Sequence, residues 1–597
     1  MTAPAGERDR FTRIFSGLVL LGIAAVAVWP LPLSLHSTLP TVSTYSVDPA
    51  DSDPAMFCWN LWWTAGWLEG RHPLLFCRIL HHPFGISLAR HTLSTANGIT
   101  AWPLTRTLGP VPAHNILLIL HALFTTAAAY RLSRIFNTGR WASVIAALIF
   151  TWWPARIIHA ACHLNLASTG WLVLSLYLLA HAIRRDRPRR TAAAGLAAAV
   201  CGACSWHLFM GLFFLAPVIA LTVPDPEHHP VSSMKRVACS TAALGIAIIL
   251  LLPLLIPLLQ PDPDLPIRSR MEKEAYSIPP IRHLIPSEQS SVFGNYIREK
   301  TAGPGGNRIE TTGYVGLSII FLSIAALVSG SRTDRRLLAG AALLLLLSWG
   351  PTLKIGSLHL PLPYRLLDMV PGLSTGRTPG RFVIPAGLLL ALIAGRSLHQ
   401  QSRRFPLFTA VMATLAAVEF CPAPMELIRF TELPVWRAAV TLAEDSSGSA
   451  LLPVPNDWTN RSYMLAQTVH QRPITTGFTA RMPRTVFQRI DGIPWLKALS
   501  SPGAESLDTL AELTRSIPDS ASGSGHAADL IRLRDLLDVT EIVTITGETV
   551  DLTGLDTIPG IGIESPESYL LDRWSGPEYW GDPPGAVHWG EWPEARV

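Results

Sequence analysis

Asp48, Asp51 and Asp53 stand just past the first long apolar run, a few residues ahead of Trp59, Trp62 and Trp63. Carboxylates held at a membrane surface beside aromatic rings suit an enzyme that deprotonates a polar acceptor while its other substrate is anchored in lipid. Asp53-Pro54 also reads as a helix start, with an acidic cap and proline in the first turn. Capping and catalysis are compatible, so both readings stand for Asp53, with Asp51 behind it.

Other residues could serve the same chemistry. His159 and His163 are spaced i, i+4 and therefore share one helix face. They read equally as an interfacial polar patch, as groups that orient an acceptor or phosphate, or as two metal ligands whose third partner the spacing does not place. A divalent cation is thus an open expectation. Arg377-Thr-Pro-Gly-Arg381 carries two arginines ahead of an apolar run. A guanidinium grips phosphate through a bidentate fork, which would explain two arginines on a side that the positive-inside bias disfavours. Glu274 and Tyr276 join them as candidate substrate-binding residues. His81, His82, His91, Arg156, Asn165, Trp206, His207, His283 and Glu310 fall in segments assigned to the same side.

Such residues must be positioned by a membrane bundle. Apolar residues make up 49% and charged residues only 15%, against roughly 25% charged in ordinary soluble domains; mean hydropathy is +0.31. The charge is missing from long runs such as 16–35, 237–259 and 337–347, and about 20 apolar residues are needed to cross the hydrocarbon. The fold class expected is mainly α: a polytopic transmembrane bundle of about 11 spans. They are placed at 15–35, 112–133, 141–155, 165–183, 191–205, 208–223, 237–259, 313–330, 337–350, 382–396 and 405–421. The first run is read as a retained helix, since it outlasts the 7–15 residues of a signal-peptide core.

Orientation follows from the arginines. Clusters at Arg8/Arg10/Arg13, Arg131/Arg134/Arg140, Arg184–Arg190, Lys235-Arg236, Arg332/Arg335/Arg336 and Arg396/Arg403/Arg404 can all be cytoplasmic together. This requires that 92–108, with Asn97, Pro103 and Arg106, lie as an interfacial or re-entrant helix. The expected location is then the inner membrane, with the N-terminus cytoplasmic. The outer side receives residues 36–111, 156–164, 206–207, 260–312, 351–381 and everything after 421.

Residues 1–421 form the expected transmembrane domain, with 36–111 as its first outer loop. After Cys421 long apolar runs stop and short strand-like segments appear at 450–454, 473–476 and 540–545, with helical patterns at 461–470 and 527–537. Alternation of strand and helix predicts an extracytoplasmic α/β domain over 422–574, with a loop at 516–525 and a poorly ordered tail at 575–597. Cys58 and Cys77 share the first outer loop, where a disulfide is permitted. Cys201-Gly-Ala-Cys204 lies in an apolar helix and reads as close packing. There is no Walker loop, no G-x-G-x-x-G and no G-x-S-x-G.

Taken in order, several short motifs resemble the bacterial integral-membrane glycosyltransferases of the GT-C fold, which use polyprenyl-phosphate sugars. They are Asp53-Pro with Trp59-Asn-Leu-Trp62-Trp63; His82-Pro-Phe-Gly85; Trp153-Pro-Ala-Arg156-Ile-Ile-His159-Ala-Ala-Cys-His163-Leu-Asn165; Gly313-Tyr-Val-Gly-Leu317; and Pro363-Tyr364, Pro371-Gly-Leu373 and Arg377-Thr-Pro379-Gly-Arg381-Phe382. The resemblance covers about residues 10–480. It implies a lipid-phosphate-linked sugar donor, a glycan, lipid or protein acceptor, contact with membrane lipid and no nucleic acid. It also implies a first-loop aspartate as base or acceptor ligand, hence Asp53 and then Asp51, although the familiar adjacent acidic pair is here spread as Asp51-Ser-Asp53. The competing class is a saccharide transporter or a non-catalytic assembly subunit. Transporters place ionisable groups at mid-membrane, whereas here the span middles are nearly free of charge. A sensor with an outer ligand-binding domain is the third reading.

Overall fold

The computed structural model describes residues 5–42, 52–500, 539–544 and 549–551, apart from positions 186, 226–229, 261, 266–267, 302–307, 329–330, 371–375, 445–449, 455, 493–495 and 497–498. Asp48 and Asp51, the loop at 516–525, the helical pattern at 527–537 and the tail at 575–597 lie outside the described residues.

The chain is mainly helical, and each apolar run produces a helix. Length separates them. Pro110–Ile135, Leu164–Arg185, Ser233–Leu259 and Pro379–Gln401 are long and apolar enough to cross a membrane, and a bent pair makes up to five. The expected count of about 11 spans is therefore not reached by length. Helices such as Leu317–Val328, with 12 residues, and Pro406–Phe420, with 15, fall short of the roughly 20 needed. The first helix ends at Val26, not at residue 35, because Pro30 and Pro32 lack the N–H that would continue it.

The bent pair is Arg140–Thr151 and Pro154–Cys162, with an angle of 49° between them. Pro154 opens the second helix, where a missing N–H costs nothing. The bend turns His159 and His163 away from the course of the first helix.

Two helices show how the bundle is layered. Pro379–Gln401 runs through the centre, with 89% of its apolar window buried. Its small residues admit neighbours: a Cβ on Gly387 would lie 2.5 Å from the Trp153 ring, and one on Gly395 would lie 3.0 Å from the Ala142 carbonyl. Ser233–Leu259 sits outside, with only 17% of its window buried. Ile249, Leu250, Ile256 and Leu259 are exposed along it, a continuous apolar face suited to lipid rather than water.

The central helix also separates two polar ends. Arg381 precedes it, and Arg396 lies 15 residues on, about 22 Å away at 1.5 Å per residue. Arg396 ion-pairs with Asp334 at 2.5 Å and donates to the Phe136 carbonyl at 3.0 Å.

The segment after residue 421 packs onto residues between the first helix and Leu80. Leu39–Thr41 pairs antiparallel with Glu426–Ile428. Trp59 Nε1 donates to Gln467 Oε1 at 2.7 Å, and Gln467 Nε2 donates to the Ile79 carbonyl at 2.7 Å. Met56, Trp59, Trp63 and Leu80 share one hydrophobic core with Leu451, Tyr463, Met464 and Ile474. Beyond this layer, Ala450–Val454 pairs parallel with Val539–Thr544, which pairs antiparallel with Thr549–Asp551. The segment 473–476, expected as a strand, bridges Leu451 through Ile474 and exchanges backbone hydrogen bonds with Ile79, His81 and His82 without forming a full strand. Cys58 and Cys77 are free, buried thiols, so the disulfide considered between them is not formed.

Candidate functional site

Asp53 stands in the first turn of the helix Asp53–Leu68, with Ser52 as its N-cap residue and Pro54 behind it. The positive end of the helix favours an anion there. The side chain is 6% exposed and held from two directions. His163 Nε2 lies 2.8 Å from Oδ2 and Arg461 Nε lies 2.8 Å from Oδ1. The arginine contact is an ion pair without the alignment of a hydrogen bond. Burial alone would raise the Asp53 carboxyl, but Arg461 and then His163 outweigh it and hold it well below the usual carboxylate range. Asp53 is therefore ionised.

From His163 the polar chain continues inward. His163 Nδ1 and His159 Nδ1 are 3.0 Å apart, and His159 Nε2 is 3.7 Å from Glu310 Oε2. Glu310 takes Arg381 Nε on both oxygens, at 3.1 and 3.0 Å, and Arg381 Nη2 on Oε1 as well. Arg381 Nη1 reaches His207 Nδ1 at 3.3 Å, and His207 Nε2 meets the Thr378 hydroxyl at 2.8 Å. Burial opposes the Glu310 charge, yet Arg381 and the histidines hold its carboxyl well below the usual range.

Asp53–His163 and His163–His159 lie within hydrogen-bond reach, and two neutral imidazoles carry the one N–H apiece that these contacts need. His159 Nε2, 3.7 Å from Glu310, is too far for a hydrogen bond.

Arg381 reaches Glu310 because the turn Pro379–Phe382 presses against the Glu310 backbone. A Cβ on Gly380 would lie 2.4 Å from the Glu310 carbonyl oxygen, so only glycine fits without movement. The Gly380 N–H also donates to the Tyr276 carbonyl at 3.0 Å.

His159, His163 and Glu310 each offer a ligand atom, and these lie within 4.8 Å of one another. Two imidazoles and a carboxylate are the donor set of a catalytic zinc site with an open position, and they also suit other transition metals. The residues fit a divalent cation by donor type and spacing.

The remaining candidates lie nearby or serve structure. Arg377 is outside the chain of contacts, 3.7 Å from Glu272 and with its guanidinium 5.1 Å from the Tyr276 ring centre. Glu274 ion-pairs with Arg270 at 3.0 Å and Lys354 at 2.9 Å. His91 Nδ1 accepts from the Ala480 N–H, so its Nε2 donates to Asn60 at 2.9 Å. Burial pushes His91 down to about 4, and it stays neutral. His81 bonds the Gly477 carbonyl at 2.7 Å. His283 is satisfied by the Gly313 carbonyl and the Trp349 indole. Arg156 donates to Thr169 and to the Thr151 carbonyl.

Glu310, His207 and Arg461 were not among the site residues that sequence reasoning selected. Glu310 and His207 carried a weak signal, as polar residues on the expected outer side. Arg461 carried none, because it comes from a segment that composition separates from the bundle.

The model of the family described as "Domain of unknown function (DUF6311)" matches residues 19–421. The chain belongs to that family. The DUF6311 match includes Asp53, His159, His163, Glu310 and Arg381 and stops short of Arg461. No curated protein matches the chain. Among solved structures, the apo oligosaccharyltransferase of Archaeoglobus fulgidus is similar at TM-score 0.48 and 12% identity, over 89% of this chain and 69% of that one. The same enzyme in complex with an inhibitory peptide and a dolichol-phosphate gives TM-score 0.43 and 12% identity, over 89% and 70%. A variant of the arabinofuranosyltransferase AftD from Mycobacteria gives TM-score 0.45 and 15% identity, over 78% of this chain and 33% of that one.

Proposed function

We propose that the protein is an integral-membrane glycosyltransferase that moves a sugar from a lipid-linked phosphate donor to a hydroxyl of an extracytoplasmic glycan, lipid or protein. The observation that carries this reading is the buried chain Asp53–His163–His159–Glu310–Arg381. Two ionised carboxylates and two imidazoles, nine-tenths or more buried, are costly unless a function uses them. The ordered motifs that resemble GT-C enzymes support the same reading.

In this reading Asp53 accepts a hydrogen bond from the acceptor hydroxyl. A carboxylate so strongly stabilised is a weak base and takes the proton late. That suits glycosyl transfer, in which positive charge builds on the sugar before the nucleophile bonds. The Asp53–His163 pair then holds the released proton. Arg377 and Arg381, on the turn ahead of the central helix, lend positive charge toward the departing phosphate. A divalent cation held by His159, His163 and Glu310 would add Lewis-acid neutralisation of that leaving group. The site faces outward and the N-terminus inward across the inner membrane. The post-421 segment covers the first outer loop and supplies Arg461.

The test is turnover by purified protein in lipid nanodiscs, with short-chain polyprenyl-phosphate sugars as donors and labelled sugar followed into acceptor or water. Transfer or donor hydrolysis is expected. Binding with transport of intact donor across vesicles, and no bond cleavage, would favour the transporter reading.

A further inference from the structure

Residues 352–370 stand between two helices of the bundle. They follow Arg332–Ser348 and precede the turn Pro379–Phe382, where the central helix begins. The segment therefore sits at the end of the bundle that carries Arg381, at the level where a helix long enough to cross the membrane starts. It holds a hairpin, Thr352–Ile355 with Leu358–Pro361, and a short helix, Tyr364–Asp368.

Strand periodicity sorts the hairpin into two faces. The paired residues Leu353 and Leu360 share one face with the paired residues Ile355 and Leu358; Lys354 and His359 share the other. The apolar face of an antiparallel pair ordinarily covers a core. Here Ile355, Leu358 and Leu360 are exposed, and so is the whole second strand. A two-stranded hairpin standing alone is barely stable in water. The helix repeats the pattern. Tyr364 is buried and Leu367 packs against the core of the bundle. Leu366, Met369 and Val370, spaced i, i+3 and i+4 on the other side, are exposed, Met369 by 78%.

Cations flank these apolar faces. Arg270 Nε donates to Glu274 at 3.0 Å and to the Thr352 hydroxyl at 3.1 Å, and Lys354 Nζ takes the other oxygen of Glu274 at 2.9 Å. Arg365 Nε donates to the Pro351 carbonyl at 3.0 Å. Arg270 also ties the hairpin to the segment that follows Ser233–Leu259, the helix whose exposed apolar face suits lipid.

We propose that residues 352–370 lie in the headgroup layer of the membrane. Ile355, Leu358, Leu360, Leu366, Met369 and Val370 enter the acyl boundary, and Arg270, Lys354 and Arg365 face phospholipid phosphates. An apolar face bordered by Lys and Arg is what an interfacial element presents to a bilayer, and long cationic side chains reach the headgroups from apolar stems. Lipid is favoured over a second copy of the chain because the patch adjoins the start of the central helix, where a bilayer surrounding that helix has its surface. The inference does not rest on the proposed reaction.

The experiment places a fluorescent probe on the patch. Full-length protein with Cys239→Ser and Cys421→Ser keeps only buried native thiols. Leu358→Cys and Met369→Cys are added singly and labelled with an environment-sensitive nitrobenzoxadiazole, alongside Ile249→Cys on the lipid-facing helix and the exposed Arg429→Cys. Each variant is reconstituted into phosphatidylethanolamine/phosphatidylglycerol vesicles, and thermal unfolding verifies its fold. Quenching is measured with phospholipid carrying a nitroxide near the headgroup end of its acyl chain, and with aqueous iodide. The probes at 358 and 369 should be quenched by the nitroxide lipid, as the probe at 249 is, and should emit at shorter wavelength than the probe at 429, which only iodide should reach. Probes at 358 and 369 that iodide quenches and the nitroxide lipid does not would place the patch in water and overturn the inference. Probes that neither quencher reaches would show the patch covered by protein and overturn it equally.

Discussion

Arg461 Nε stands 2.8 Å from Asp53 Oδ1, so a residue of the post-421 segment sets the charge state of the carboxylate that opens the helix Asp53–Leu68. Its guanidinium also lies 4.1 Å from the Phe478 ring centre, and Phe478 stacks on Trp458 at 5°. The strength of the proposed base is thereby tied to the docking of a segment beyond the family match.

Removal of that cation should change the pH profile. With Arg461 and His163 in place Asp53 is held far below its ordinary value, so turnover should show no acid limb from this group down to about pH 4, the ordinary carboxylate range. In Arg461→Gln burial is less opposed, the carboxyl rises, and turnover should begin to fall as pH drops below about 5–6. Superimposable profiles between pH 4 and 8 would show that Arg461 does not control Asp53.

Glu310 and Arg381 should be coupled in stability. Glu310→Gln strands a guanidinium that is 11% exposed, and the loss of one partner of a buried pair costs about 3–5 kcal/mol. The double variant Glu310→Gln/Arg381→Gln should recover part of that loss. A depressed carboxyl stabilises the fold above its unfolded value near 4.3 and loses that contribution as pH falls through its folded value. The wild-type advantage over Glu310→Gln should therefore be constant from pH 5 to 8. Additive single losses in thermal unfolding would show the pair to be uncoupled.

Gly380→Ala tests the turn. The new Cβ starts 2.4 Å from the Glu310 carbonyl, so the turn or Glu310 must move and carry Arg381 with it. A shift near 1 Å costs on the order of 10²-fold in rate, with smaller changes in expression. Full turnover would mean that the Arg381–Glu310 geometry is not needed for the reaction.

A cation requirement can be read directly. If His159, His163 and Glu310 hold a divalent ion, chelation should suppress turnover and restore it on readdition of zinc or manganese. His159→Ala should also lower the metal content of the purified protein. Turnover indifferent to chelator, with no metal in the wild type, would show that His159, His163 and Glu310 work without a cation.

Much of the bundle was legible because lipid demands long runs without charge, and those runs are visible residue by residue. The helix pair broken at Pro154 was less so, since the sequence placed one short span where two helices meet. The spacing of His159 and His163 predicted a shared face, and the structure places them side by side. Their partners were not legible. Glu310 sits 71 residues from Arg381, and no local pattern joins them. Arg461 was hidden by the change in composition at Cys421, which marks the end of apolar runs, whereas the core containing Trp59, Leu451 and Met464 continues across it. Arg377 and Arg381 looked equivalent in sequence; Glu310 separates them, leaving Arg377 beside Glu272 and the Tyr276 ring.

The central claim is that the Asp53 carboxylate takes part in the reaction, and Asp53→Asn in the turnover assay tests it most directly. Asparagine keeps the size and removes the charge, and the N-cap residue Ser52 is untouched. Turnover should fall by on the order of 10²–10⁴-fold, the range of a positioned base, while thermal unfolding shows the variant still folded. A folded Asp53→Asn protein with wild-type turnover would contradict the account.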